Sequence, residues 1–597
     1  MRSIQRMRNF ISSLLGALSA LVLFFGAGLL LLVILFVVFG SMEEKKVAVE
    51  RGSYLVFDLS ANITDAPPLI DLGSFSRNHV NVLQLRQVTT ALRTAATDDR
   101  IKGLLIVGSV RTGGLGSGYA ALQEVRSALL EFRDAGKPVH AFMNYASIRD
   151  YYVASVADDI ALDPYGVLMM PGLASEPMFF AKAFEKYGIG VQVTRVGKFK
   201  SAVEPFIRED MSEANRLQLQ QLLGDVWGNL IEDIGGSRGL SVEAIQKVVD
   251  AEGMIRAEQA KEAGLIDRVI YRDEILSELQ ESTGQDASKP FTQIALRDYA
   301  NLINTHGSSG GGRIAVVYAE GSIVDGEGER EQIGGARFSR ELRKLRLDDS
   351  VSAIVLRVNS PGGSASASEA IQREMRLAAK EKPVVVSMGS YAASGGYWIS
   401  TYSERIYAEA TTITGSIGVF GVLFDIQKLA NDWGVTFDQV KTGVFADTMT
   451  ISRPKTDAEM ALIQRSVDWI YDEFISKVAE SRNLPRERVH KIAQGRVWSG
   501  QEALNWGLVD EIGGLHEAIE HAAKLAGLKK YRLVEYPRKK EFAEAISELL
   551  NDIMPSRASV GLDGMIIKKL KSEMETLRGF NDPQGLYAKM PMSLNLP

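Results

Sequence analysis

Short β-branched apolar runs alternate with stretches of helical spacing along most of the chain. Ala353 to Val358 reads as a buried strand, Ser366 to Lys380 as a helix and Pro383 to Ser387 as a second strand. That order predicts right-handed βαβ units, a mostly parallel sheet and hence an α/β fold. Two stretches depart from the pattern. From Leu14 to Phe39 nearly every residue is apolar, and no charge occurs between Arg8 and Glu43. About 20 such residues span a bilayer, whereas a cleavable signal has an apolar region of roughly 7–15. The run therefore predicts a transmembrane helix. Arg2, Arg6 and Arg8 before it predict a cytoplasmic N-terminus, with the rest of the chain outside. Beyond Tyr536, two groups fall at helical spacing: Phe542, Ile546, Leu549, Leu550 and Ile553, then Ile566, Ile567, Leu570, Met574 and Leu577. They predict amphipathic helices packed on the parent domain or on a neighbouring subunit.

The pattern also repeats at long period. Tyr54 to Asp65 reads like Ile314 to Asp325, Gly103 to Val107 like Ala353 to Arg357, and Lys137-Pro-Val139 like Lys382-Pro-Val384. Tyr152-Val-Ala-Ser155 parallels Tyr397-Trp-Ile-Ser400, and Lys186-Tyr-Gly-Ile189 parallels Asp432-Trp-Gly-Val435. The spacing drifts from 260 to 245 residues, so the first copy carries extra loop residues. Gly307-Ser-Ser-Gly-Gly-Gly312 separates the copies. Four segments follow: an anchor over 1–46, α/β copies over 47–306 and 307–536, and a helical extension over 537–597.

Composition narrows the chemistry. With no cysteine, disulfides, thiol nucleophiles and cysteine-bound zinc are excluded. The six histidines form no metal-ligand cluster, so no metal is expected. A net charge of -6 over 597 residues offers no nucleic-acid surface.

Two segments of the second copy carry candidate chemistry. Asn359-Ser-Pro-Gly-Gly-Ser364 lies between a strand and a helix, where adjacent glycines can present N–H groups to an anion or oxyanion. It lacks the Lys-Ser/Thr of a phosphate-binding loop, and no cofactor is expected. In Tyr391-Ala-Ala-Ser-Gly-Gly-Tyr-Trp398, small neighbours leave room for a carbonyl at the Ser394 hydroxyl, with the Gly395 N–H beside it. No histidine lies near either segment. A lysine could replace it as base if burial away from other charges kept it neutral.

Those two segments, with Thr414-Gly-Ser-Ile-Gly-Val-Phe-Gly421 and Lys200-Ser-Ala-Val-Glu-Pro-Phe206, closely resemble the signal peptide peptidase A family in its long tandem-repeat form, protease IV. The resemblance covers about residues 15 to 540. It implies two ClpP/crotonase-like domains on one anchor at a bacterial inner membrane, facing the periplasm. It also implies a bowl-like homotetramer that degrades released signal peptides and other apolar, extended peptides. Ser394 is then the nucleophile, Lys200 the general base, and Gly395, Gly362 and Gly363 the oxyanion donors. Ser416 looks like the hydroxyl that orients the lysine. Lys198 competes with Lys200 for the role of base, being on the same face if the segment is a strand. Aligning the copies puts Arg149 opposite Ser394 and Ala446 opposite Lys200, so each copy holds half of a dyad. A crotonase-type acyl-CoA enzyme and a non-catalytic membrane scaffold remain as alternatives.

Overall fold

The computed structural model describes residues 48–67, 81–286, 288–304, 311–329, 331–537, 581–582 and 585–590, with isolated positions between 16 and 28. Most of the apolar run from Leu14 to Phe39 lies outside these. Among the described residues no helix is long and apolar enough to cross a membrane. Residues 50–597 form one compact unit, separate from 1–49.

The first copy supplies strands β1 (Ser53–Asp58), β2 (Ile101–Val107), β3 (Val139–Ala146) and β4 (Asp159–Met169), with helix α1 (Tyr119–Asp134) after β2 and α2 (Ile148–Ala154) after β3. Then come β5 (Gly190–Val196), the long helix α3 (Glu213–Arg238), β6 (Met254–Arg256) and β7 (Gln293–Ala295). The second copy begins with β8 (Gly312–Glu320), β9 (Val351–Ser360) and β10 (Gly362–Ser364), followed by helix α4 (Ala365–Ala378). It continues with β11 (Val384–Ala393), helix α5 (Gly395–Ser400), β12 (Ile413–Gly415) and β13 (Val419–Asp425). Helix α6 (Asp457–Arg482), β14 (Val497–Ser499) and β15 (Tyr531–Tyr536) complete it, and β16 (Leu586–Lys589) follows.

The two main sheets have the same strand order. One runs β7-β1-β2-β3-β4-β6 and the other β15-β8-β9-β11-β12-β14, parallel throughout except for the last pair of each. Apolar runs such as Ile354–Val358, broken only by Arg357, suit strands covered on both faces, and Ile354, Val355, Leu356 and Val358 are wholly buried.

A third, mixed sheet joins the copies. In it β5 of the first copy lies antiparallel to β13 of the second, from Val196 opposite Val419 to Gly190 opposite Asp425. The halves differ here for a visible reason. Tyr187-Gly188 and Trp433-Gly434 both end short helices with a left-handed glycine (φ +70° and +76°). The first copy then enters β5, whereas residues 435–441 form no strand and are exposed.

Two expectations change. Gly362 and Gly363, expected to lie between a strand and a helix, form the short strand β10, paired with β16. The segment 537–597, expected to be helical, contributes the strand β16, and its two amphipathic stretches lie outside the described residues.

Candidate active site

Ser394 occupies the single position between β11 and α5, with φ 57° and ψ -111°. A side-chain-bearing residue held there stores about 1–3 kcal/mol of strain. Its N–H donates to the Gly415 carbonyl at 2.7 Å, and its carbonyl accepts the Trp398 N–H at 2.8 Å, so neighbouring strand and helix hold the bend. Gly396 must be small, because a Cβ there would lie 2.7 Å from the Ser360 carbonyl oxygen.

The first copy has no such bend. Ser147, the residue before α2, has an ordinary extended conformation, and its hydroxyl accepts the Asp150 N–H as a helix cap. Side-chain roles also revise the pairing of the copies. Tyr151 donates to the Leu265 carbonyl as Tyr397 does to that of Leu508, within matching Gly-Leu-Ile-Asp and Gly-Leu-Val-Asp turns. Tyr151, not Tyr152, is therefore the counterpart of Tyr397. Ile148 rather than Arg149 then stands opposite Ser394, and neither is a nucleophile.

Lys200 follows β5 and immediately precedes the single helical turn Ser201–Val203, so the segment is not a strand. Residues from the second copy clamp it. The Phe199 N–H donates to the Gln494 carbonyl at 3.0 Å. A Cβ on Gly495 would lie 2.6 Å from that of Lys200, and one on Gly197 would lie 2.3 Å from the Gln494 carbonyl carbon. Gln218 on α3 donates to the Phe199 carbonyl and the Ser201 hydroxyl, both at 3.0 Å, and accepts the Val497 N–H at 3.3 Å.

This clamp brings Lys200 Nζ to 2.8 Å from Ser394 Oγ, across 194 residues of sequence. Nζ also donates to the Ser416 carbonyl at 2.9 Å and to the Ser416 hydroxyl at 3.1 Å. Ser394, Lys200 and Ser416 are all wholly buried. Among the described residues no carboxylate forms an ion pair with Lys200, and burial alone holds its pKa well below the ordinary lysine value. Lys198 is exposed, its ammonium 4.9 Å from the centre of the Phe199 ring, so it does not share a face with Lys200.

The glycines converge on the same place. Gly362 has φ +91°, and a Cβ there would lie 2.6 Å from the Gly395 nitrogen. Gly363 follows it in β10, where a Cβ would strike the Ile323 carbonyl. Ser394, Lys200, Ser416, Gly362 and Gly395 are thus one cluster. Gln494-Gly495-Arg496 and Gln218 were not singled out from sequence. Gly495 offered a weak signal, and a glutamine in a long amphipathic helix offered none.

A buried serine hydrogen-bonded to a buried lysine beside converging glycine backbones is an arrangement suited to acyl transfer. The sequence matches peptidase family S49 twice, over residues 131–286 and 376–529. It is 35% identical over 562 residues to Protease 4 of Salmonella typhi, covering 90% of each chain. It is 34% identical over 585 residues to Protease 4 of Haemophilus influenzae, covering 94% of each. It is also 31% identical over 541 residues to the chloroplastic serine protease SPPA of Arabidopsis thaliana, covering 89% of this chain and 77% of the other. The chain belongs to peptidase family S49, with the domain present in tandem. It is a serine peptidase, not an acyl-CoA enzyme.

Proposed function

We propose that the chain is a membrane-anchored serine endopeptidase working through a Ser394–Lys200 dyad, with cleaved signal peptides as its substrates. The observation that carries the dyad is the 2.8 Å contact between Nζ and Oγ, with the lysine buried and, among the described residues, without an ion-pair partner. A neutral amine has two N–H donors and one lone pair. Ser416 takes both donors, through its carbonyl and its hydroxyl, so the lone pair faces Ser394. Lys200 removes the hydroxyl proton as Oγ attacks a peptide carbonyl, and the Gly395 and Gly363 backbones stabilise the oxyanion; the Gly362 N–H donates instead to the Ser360 hydroxyl at 3.1 Å, so Gly362 contributes through its missing side chain. The lysine then protonates the leaving amine and later activates the water that hydrolyses the acyl-enzyme.

In this reading 1–46 is the anchor and tip, 47–306 carries the base, 307–536 carries the serine and 537–597 extends the second half. Both halves have the ClpP/crotonase-like plan, and the chain crosses a bacterial inner membrane once, with the catalytic halves in the periplasm. The length and apolarity of the run from Leu14 to Phe39 support the anchor. Exposed Trp433, Val435, Phe437, Val440 and Val444 support a homo-oligomer, a tetramer on the family resemblance, because a patch of this kind marks an interface.

Hydrolysis of a small peptide ester tests the dyad. Ser394→Ala and Lys200→Ala should each lower kcat by at least about 10³-fold. Wild-type turnover in both variants would sink the dyad.

A further inference from the structure

Strands β10 and β13 flank the serine and the lysine, and they are not paired with each other. Strand β16 lies between them, antiparallel to both. On one side Gly362, Gly363 and Ser364 face Lys589, Ala588 and Tyr587; on the other Phe420 and Gly421 face Tyr587 and Leu586. Every residue from Leu586 to Met590 is buried.

The Ala588 carbonyl lies over the glycines described above. A Cβ on Gly362 would come 2.2 Å from that oxygen, and one on Gly395 would come 3.0 Å from it. An extended peptide bound by strand addition, with its scissile carbonyl beside the Gly395 N–H, would take this same path.

Two anchors hold the segment. The Met590 N–H donates to the Pro361 carbonyl at 2.9 Å. The Asp582 carboxylate accepts from the Ser364 hydroxyl at 2.6 Å and from the Ser366 N–H at 3.2 Å, in the first turn of α4 where negative charge is favoured. The Asp582 N–H donates to the Tyr587 hydroxyl at 3.2 Å, tying anchor to strand.

We infer that strand β16, with Asp582 and Met590 as its anchors, is a tethered, substrate-like occupant of the peptide-binding groove, with Ala588 at the acyl position, which a substrate must displace. The inference deepens the Ser394–Lys200 reading and rests on it for the location of the groove. A tether keeps the effective concentration of such a strand at about the millimolar level, enough to compete with a free peptide. Affinity for substrate is then reduced by the fraction of molecules whose groove is empty.

Two experiments on the full-length protein test it. In Asp582→Asn and Ala588→Arg, KM for an extended fluorogenic peptide should fall about ten-fold with kcat within about two-fold. A synthetic peptide of residues 580–592 added to them should restore the wild-type KM competitively. An unchanged or raised KM would mean that β16 is only a structural strand. If those variants fail to fold, hydrogen exchange on Ser394→Ala decides. Saturating, uncleaved fluorogenic peptide should accelerate exchange of the amides of 586–590. Amides as protected with peptide as without it would overturn the inference. That readout needs no turnover, so it can fail while the dyad stands, or succeed if the dyad falls.

Discussion

Ser394 carries two costs at once, a strained backbone and a buried hydroxyl beside a buried amine. The strain makes a counterintuitive prediction. Both Ser394→Ala and Ser394→Gly should be inactive, but glycine should give the more stable protein by about 1 kcal/mol, because it tolerates φ 57°. Alanine and glycine normally rank the other way, so urea denaturation of the pair is a direct check. Lys200 yields a pH prediction. Burial favours its neutral form, so kcat/KM for a peptide ester should rise through a pKa well below that of a free lysine. The sign for stability is the same. Between the depressed folded pKa and the ordinary value of 10.5, the unfolded chain holds a proton that the folded chain has released, so stability rises with pH across that window. Lys200→Met should remove that rise and be more stable than wild type at neutral pH. Removing the Ser416 hydroxyl in Ser416→Gly, which keeps the φ of +50° accessible, should lower kcat about ten-fold or more by freeing the lysine to rotate.

Among the elements, the short segment Gln494-Gly495-Arg496 matters as much to the placement of Lys200 as the residues around it in sequence. Gly495 has φ +77°, and its missing side chain is the space that the Lys200 backbone fills. Gly495→Ala should cost about 1–3 kcal/mol and reduce kcat by about 10²-fold, since an ångström of displacement is enough to misalign the proposed base. Denaturation midpoints and kcat measured together check this, and a variant that loses stability with kcat intact would separate the clamp from the chemistry. The βαβ pattern was legible because its strands are apolar runs and its helices have a different period. The sheet joining the copies was less so. Residues 190–196 and 435–441 follow equivalent helix ends, yet only the first forms a strand, because β13 is there to pair with it.

Across the whole molecule, the docking of the two copies is held by a buried charge. Arg357 on β9 is wholly buried between Asp65 of the first copy, at 2.7 Å, and Glu124 on α1, at 2.5 Å. Arg357→Met should destabilise the fold by about 3–5 kcal/mol, because two carboxylates are left without their cation. The deficit should shrink as pH falls and Glu124, whose carboxyl burial pushes up, takes up a proton. Nearby Glu320, which accepts the Ala66 N–H at 2.9 Å, is pushed up to about 7 by burial, with Asp65 adding to it. Between its ordinary value of 4.5 and about 7 the folded chain holds a proton that the unfolded chain has released. Stability should therefore fall as pH rises through that window, and Glu320→Gln should flatten the fall in urea titrations at about pH 5 and pH 8.

Local chemistry was written in the sequence: apolar runs set the strands, glycines marked the close approaches, and the absence of cysteine removed whole classes of reaction. Repetition along the chain also exposed the two copies and the unequal residues in them. What only the tertiary structure decided were the contacts between segments with no common local pattern. Lys200 meets Ser394 because two sheets dock, Gly495 shapes the lysine from the far end of the second copy, and β16 returns between β10 and β13 from a region that read as helical. Periodicity records which face of an element is buried, not which distant segment covers it. The Lys200–Ser394 contact, the clamp and the placement of β16 are all of that second kind.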